Sequence, residues 1–523
     1  MTATVARPSP SGAEPSAPVR PARRRYLWLA LGLCSLLLAT HANWDVPVAA
    51  WACSIFLIRF VRTSTLASAI RWSVAAGVLA SLSFIGQSLL LVVEVLLIGI
   101  PSMTLIVAGP LLLDRLLATR LARTRPVLAS LVYPVTRVAA EFLVSVVTGF
   151  GVVLGILGAT QHGALPLIQV SAVTGVFGVS FLVAWAASAI NHLWEHGSGR
   201  GGLRPVVVYA SALGVVLALG GARLAFLAPS ADTVRVAGIS PSTSAVDQRD
   251  ARVERVLGER SYEWFRYARA DAPAIRRALA PVNDDLVAST EREARAGARL
   301  ISWPETTAHV MQRDRGALLA EVGAIAKRYD AYVDVGAAVM TDHAPYVRNQ
   351  AILVTPEGVA WDYDKAHPTP MEPMTPGAPE VPVADAGFAR LAGVICYDAD
   401  FTALMRQAGR AGADIMLVPS HDWRGFDNVH AEKAVFRSVE NGYSMVRQSA
   451  DGVATAYDYQ GRTLARTSAF TTDPQAIVAF VPSEGVRTPY AVVGDLFAWL
   501  CVAGLAALVA GAIVRRRRES AHP

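Results

Sequence analysis

Three residues in the second half of the chain have the types that thiol chemistry on a carbonyl needs, and each stands at the end of an apolar run. Glu305 closes Leu300-Ile301-Ser302-Trp303-Pro304-Glu305, Lys365 lies in Asp362-Tyr363-Asp364-Lys365-Ala366-His367-Pro368, and Cys396 follows Gly393-Val394-Ile395. A carboxylate can take the thiol proton, the sulfur can attack a carbonyl carbon, and an ammonium can stabilise the resulting oxyanion. Each residue also has a plainer reading. Glu305 could be the first solvated residue after a strand, Lys365 the partner of Asp362 or Asp364 in a polar turn, and Cys396 buried filler.

Residue usage bears on that choice. Of the four cysteines, Cys34, Cys53 and Cys501 fall in apolar stretches, leaving Cys396 without a partner for an internal disulfide. Among 48 basic residues only Lys327, Lys365 and Lys433 are lysines. A chain that uses arginine for general positive charge points to a compact ammonium where it keeps lysine. Cys396 also precedes a helical pattern near 401–411, where N–H groups and the helix dipole would favour a thiolate. His367, His421 and His430 are candidates for a Cys–His pair, but their spacing matches no metal site.

The elements that must position these residues alternate. Short β-branched or apolar runs occur at Thr233–Ile239, Arg299–Trp303, Ala331–Met340, Gln350–Thr355, Leu391–Ile395, Asp414–Pro419, Tyr443–Gln448 and Ala476–Val481. Helical patterns fall near 246–280, 311–329, 401–411 and 426–441. The pattern predicts an α/β domain over 229–489 that presents its chemistry on loops after strands.

The rest of the chain is a different material. With 523 residues, 53% of them hydrophobic, the protein is too long and too apolar for one ordinary soluble domain. About eight membrane spans are expected, near 26–41, 46–61, 72–87, 89–113, 128–157, 166–190, 204–227 and 491–513. They divide the chain into a basic tail over 1–25, seven helices over 26–228, the α/β domain, one helix over 490–514 and a basic tail over 515–523. Arginines at positions 20, 23–25, 62, 115, 120, 123, 125, 200, 204 and 515–518 mark every second loop as cytoplasmic. That rule predicts both termini inside and the α/β domain on the exterior face. A cleaved signal peptide is the competing reading of the first span, but it would misplace the basic loops. The net charge of +6 is accounted for by these topology signals and implies no nucleic acid. Within the spans, Arg137 and Glu141 share one helix face, as a structural or functional pair, and Glu94 stands alone.

Glu305, Lys365 and Cys396, in that order and each at a strand end, resemble the Glu–Lys–Cys pattern of the nitrilase, or carbon-nitrogen hydrolase, superfamily. Further motifs resemble its membrane-bound branch, the apolipoprotein N-acyltransferases: Thr148-Gly149-Phe150, Gln169 to Leu182, Arg437-Ser438-Val439-Glu440-Asn441-Gly442, and Arg487-Thr488-Pro489-Tyr490 with Gly494-Asp495. The resemblance implies an αββα sandwich on a polytopic helical domain in the bacterial inner membrane, with the catalytic domain on the periplasmic face. It implies a phospholipid acyl donor, a diacylglyceryl-modified lipoprotein acceptor, a Cys396 thioester, Glu305 as base and Lys365 as oxyanion donor, with no cofactor and no metal. Glu372, Tyr397 and Asp398 would support the site.

The match is incomplete in the loops. His367-Pro368-Thr369-Pro370-Met371-Glu372 carries its glutamate one position early, Asp398 stands where the family has glutamate, and Ser240-Pro241-Ser242 replaces the usual Gln-Gly-Asn. Those departures leave open an amidase or a transferase with another amine acceptor, and a degenerate, non-enzymatic domain.

Overall fold

A computed structural model describes residues 22–89, 91–258 and 263–521. Most of the expected N-terminal tail lies outside the described residues. Among the described residues, six helices are long and apolar enough to cross a membrane: Leu66–Ser88, Val93–Leu121, Pro126–Val147, Val176–His196, Arg200–Phe226 and Leu496–Val514. Helices Ala22–Ala39 and Pro47–Thr63 occupy the first two expected spans but are less suited to cross. The former opens on arginines and the latter has 17 residues. The last helix continues to Ala521, through most of the expected C-terminal tail.

Two expected spans are interrupted, and glycine explains both. The fifth ends at Val147, where Gly149 and Gly151 take φ of 72° and 55°, backbone that a side chain would strain. The sixth begins only at Val176, because Gly175 sits at φ 68° and a Cβ there would come within 2.8 Å of the Tyr490 ring. Before it lie the short helices Leu165–Ile168 and Ser171–Thr174.

The irregular segment after Val147 is tied down by the intramembrane pair. Arg137 donates to Glu141 at 2.6 Å, to the Gly155 carbonyl at 2.9 Å and to the Ile106 carbonyl at 3.2 Å, while Glu141 accepts the Leu157 N–H at 3.0 Å. The pair therefore satisfies backbone groups that the chain exposes where it leaves helical geometry. Glu94 is exposed in the first turn of Val93–Leu121, at one end of that candidate span.

Residues 233–482 form two stacked sheets. One runs in the order Ala476–Pro482, Thr233–Ile239, Leu300–Ser302, Tyr332–Met340, Val347–Thr355, Gly358–Asp364, with Ala308–Met311 also on Tyr332–Met340. The other runs Thr463–Ser468, Val453–Tyr457, Ser444–Arg447, Ile415–Leu417, Arg390–Gly393, Val383–Asp385. Their facing side chains make one core, with Val236, Leu353 and Tyr363 from the first sheet against Leu391, Leu417 and Met445 from the second. Helices Ala272–Arg295 and Arg315–Tyr329 cover the first sheet through Val282, Leu286, Val322 and Ile325. The second sheet is backed by Thr402–Ala411 and Val435–Asn441. This αββα order is that of a nitrilase-like domain. The expected helix near 246–280 is divided into Thr243–Leu257, Trp264–Arg269 and the start of Ala272–Arg295.

Buried polar groups join the two halves of the chain. Glu440 accepts the Val176 N–H at 2.8 Å and Arg437 at 2.7 Å, while Asp495, beside the last helix, bonds Thr402 and Tyr490.

Candidate active site

The ends of three strands meet at one cavity of about 930 Å³. Glu305 follows Leu300–Ser302, Lys365 follows Gly358–Asp364 and Cys396 follows Arg390–Gly393, and all three line it. Glu305 and Lys365 are each 2% exposed and Cys396 is 5% exposed. The strands deliver them together because the sheets stack with these ends at one edge of the sandwich.

Lys365 is the electrostatic centre. Its Nζ donates to Glu305 Oε1 at 2.7 Å and to the two Glu372 oxygens at 2.8 and 2.9 Å. Glu372 thus reaches the lysine despite its early place in the sequence, and the Thr369 N–H, at 2.6 Å, fixes its carboxylate. Asn349, which no sequence signal marked, donates to Glu305 Oε1 at 2.6 Å. Burial raises the Glu305 carboxyl, but the Lys365 charge and the two donated bonds outweigh it and leave the group below its usual range. Burial works against the Lys365 ammonium, yet Glu305 and Glu372 hold its pKa well above the ordinary lysine value. Glu372 itself is raised, by burial first and by Glu305 as a like charge.

Cys396 sits on a strained turn. Its φ of 47° is left-handed for a residue with a side chain, at the step from strand into the 3-10 turn Cys396–Asp400. The Tyr397 N–H lies in the first turn, among the donors a helix start leaves without an intrahelical acceptor. Burial, then the Glu305 charge, pushes the thiol well above its usual pKa, with Lys365 and Arg447 pulling the other way. The expected helix dipole is therefore outweighed by desolvation, and the resting sulfur is a thiol.

Asp398 binds the lysine turn to the cysteine turn. It is fully buried and accepts Tyr363 Oη at 2.8 Å, the Ala366 and His367 N–H groups at 3.3 and 2.7 Å, His367 Nδ1 at 3.0 Å and the Ile395 N–H at 3.2 Å. His367 stacks on Phe401 with ring centroids 3.7 Å apart. Tyr397 donates to the Gly149 carbonyl at 3.1 Å, and the Val152 N–H to the Asp400 carbonyl at 2.9 Å. The cysteine turn is thereby fastened to the membrane domain, whose Val95, Phe150 and Val153 form an apolar wall of the cavity.

Behind the sulfur lies a polar cluster that spacing in the sequence did not reveal. One donor atom each from Cys396, Asp422 and His430 falls within 4.8 Å of the others. Those types could suit a metal ion, but Arg447 already fills the position, with Nη2 at 2.9 and 2.8 Å from the Asp422 oxygens and 3.0 Å from His430 Nδ1. His430 is held by Asp422 at 2.7 Å and Asp400 at 2.9 Å, so neither ring nitrogen is free to serve as the thiol's base. His421 instead pairs with Asp451 at 3.2 Å, at the exposed rim.

Two parts of the chain match known protein families. Residues 33–189 match the apolipoprotein N-acyltransferase N-terminal domain, and residues 274–488 match the carbon-nitrogen hydrolase family. The chain is 27% identical to an apolipoprotein N-acyltransferase of Geobacter metallireducens over 401 residues, covering 70% of each chain. It is 26% identical to that of Bordetella bronchiseptica over 408 residues, covering 68% of this chain and 69% of the relative. Among solved structures it is similar to an amidase from Nesterenkonia sp., at 18% identity and TM-score 0.35, over 49% of this chain and 92% of that one.

Proposed function

From a chain that joins the apolipoprotein N-acyltransferase membrane domain to a carbon-nitrogen hydrolase domain, as the membrane-bound branch of the nitrilase superfamily does, we infer a membrane acyltransferase of lipoprotein biosynthesis. Its reaction moves a fatty acyl chain from a phospholipid, by way of Cys396, to the N-terminal amine of a diacylglyceryl-modified lipoprotein. One observation carries this reading: Glu305, Lys365 and Cys396 surround a cavity with one wall of membrane-domain side chains.

Glu305 takes the Cys396 proton as the sulfur attacks the ester carbonyl of the phospholipid. Lys365 and the Tyr397 N–H stabilise the tetrahedral oxyanion. The C–O bond breaks, the proton passes from Glu305 to the departing alkoxide, and lysophospholipid leaves a thioester. The acceptor amine then attacks the thioester carbonyl and gives a proton to Glu305. The C–S bond breaks, and the thiolate recovers that proton. A resting thiol beside a resting carboxylate suits this order, because the sulfur is ionised only as it reacts.

Membrane attachment has a physical reason. Withdrawing an acyl chain into water costs about 0.8 kcal/mol per CH₂, so a site at headgroup level avoids a large penalty. The basic loops argue for cytoplasmic termini and a periplasmic catalytic domain.

An acceptor other than a lipoprotein amine is the second reading. It is favoured by Ser240 and Met371 lining the cavity within loops that differ from the family pattern. Mass spectrometry of lipoproteins from cells lacking the enzyme separates the two: N-termini without the third acyl chain are expected, and unchanged triacylated N-termini would rule out the lipoprotein amine as the acceptor.

A further inference from the structure

The cluster behind Cys396 contains more carboxylate than a thiol nucleophile tolerates, and one histidine balances it. Asp422 cannot be neutral, because both of its oxygens accept Arg447 Nη2 and one also accepts Ser449 Oγ. Of the two contacts at His430 Nδ1, the one to Asp422 at 2.7 Å is shorter than the one to Arg447 Nη2 at 3.0 Å, and because a carboxylate oxygen can only accept, the shorter one places a proton on Nδ1. At its other end, Nε2 meets Asp400 at 2.9 Å. A neutral imidazole has one N–H and cannot satisfy two carboxylates. His430 is 7% exposed and stacked on Phe426 at 5.1 Å, so it has no other orientation to adopt without losing both bonds.

We propose that His430 is a positioning residue held as a buried imidazolium, whose charge cancels that of the Asp422 and Asp400 pair beside Arg447 and so allows Cys396 to ionise when it reacts. Burial opposes this charge, while Asp422 and Asp400 sustain it and raise the histidine's pKa. The other charged or titratable groups facing the cluster are Glu305 and Lys365 across the sulfur, His421 and Asp427, which face Asp422, and Arg437 and Lys433, which face Asp400; Asp45 and Glu432 in turn face Lys433. With His430 neutral, Asp422, Asp400 and Arg447 would leave one net negative charge behind the nucleophile.

The role depends on the thiol chemistry inferred above, but its test does not need acyl transfer. Iodoacetamide alkylation of Cys396 is followed against pH in the full-length protein in detergent, with the other three cysteines replaced by alanine. His430→Gln should slow alkylation at neutral pH about 10-fold, equivalent to about 1.4 kcal/mol, and shift the profile to higher pH. His430→Gln with Asp400→Asn removes one charge of each sign and should return the profile to that of the parent. A double variant as slow as His430→Gln, or an unshifted single variant, would overturn the proposal. If the single variant fails to fold, folding of the double variant supports charge balance, whereas failure of both assigns His430 to packing and overturns it. An acyl-transfer defect in a parent protein with a normal alkylation profile would count against the function and not against this role.

Discussion

Replacing Asp398 by asparagine removes one acceptor oxygen from the joint between the Lys365 and Cys396 turns, and the geometry limits how the protein can respond. If the amide nitrogen takes the Oδ1 position, it faces the His367 N–H, now 2.7 Å from an acceptor, and the His367 ring can change tautomer to accept. If it takes the Oδ2 position, Tyr363 can turn its hydroxyl to accept, but the Ala366 and Ile395 N–H groups both lose their partner. The first orientation costs less: one orphaned backbone donor, and weaker bonds elsewhere once the charge is gone. With charge-assisted bonds worth about 1.5–3 kcal/mol each, the loss is roughly 3 kcal/mol. For a domain of this size that lowers the melting temperature by roughly 6–12 °C. A slip of about 1 Å between lysine and sulfur costs on the order of 100-fold in rate. Thermal unfolding in detergent and the rate of phospholipid-dependent acylation of Cys396 measure the two effects. A variant that melts within about 2 °C of the parent and acylates at the parent rate would refute the claim that Asp398 sets the spacing of the two turns.

Other residues give further expectations. Lys365→Met should slow acylation about 100- to 1,000-fold and destabilise the domain, because it leaves Glu305 and Glu372 buried without their cation; Lys365→Arg should be slowed as well, since a planar fork does not reproduce a tetrahedral ammonium. Asp334 is raised to about 7 by burial, so it contributes fully below the ordinary carboxyl pKa and progressively less as pH rises through 7. Asp334→Asn should accordingly melt higher than the parent at pH 8 with little difference at pH 4, as thermal unfolding at the two values will show. Glu305 has the opposite sign: its depressed pKa contributes stability at neutral pH that is lost as pH falls below about 4, and Glu305→Gln should flatten that part of the unfolding profile. Gly151→Ala would place a Cβ 2.4 Å from the Asp400 carbonyl at a φ of 55°, and should loosen the membrane loop from the cysteine turn, read as faster proteolysis after Val147.

The sequence made the strand ends legible because each carried its own punctuation. Pro304 stops one strand before Glu305, Lys365 precedes a Pro-rich turn, and Cys396 closes an unbroken apolar run. Hydropathy placed the long helices but missed where two of them are interrupted. Apolar content continues through residues 148–157 and 165–174, and only glycine conformation and the Arg137–Glu141 staple break the helices there. The strands Ala308–Met311, Val383–Asp385, Val453–Tyr457 and Thr463–Ser468 lacked a marked pattern of their own, being short or half exposed and defined by their neighbours. The charge cluster behind Cys396 was hidden for a different reason. Asp400, Asp422, His430 and Arg447 come from a turn, a loop, a short helix and a strand, and only the stacking of the sandwich brings them together. Burial likewise decided the resting state of Cys396, which proximity to a helix start alone would have misjudged.

The proposed role of Cys396 is to carry the acyl chain. Intact-protein mass spectrometry of the full-length enzyme incubated with phospholipid tests it directly. One acyl adduct is expected, labile to hydroxylamine, absent in Cys396→Ala and discharged by a peptide bearing an N-terminal diacylglyceryl cysteine. A folded enzyme whose Cys396 reacts with iodoacetamide but takes no acyl group from phospholipid would contradict it.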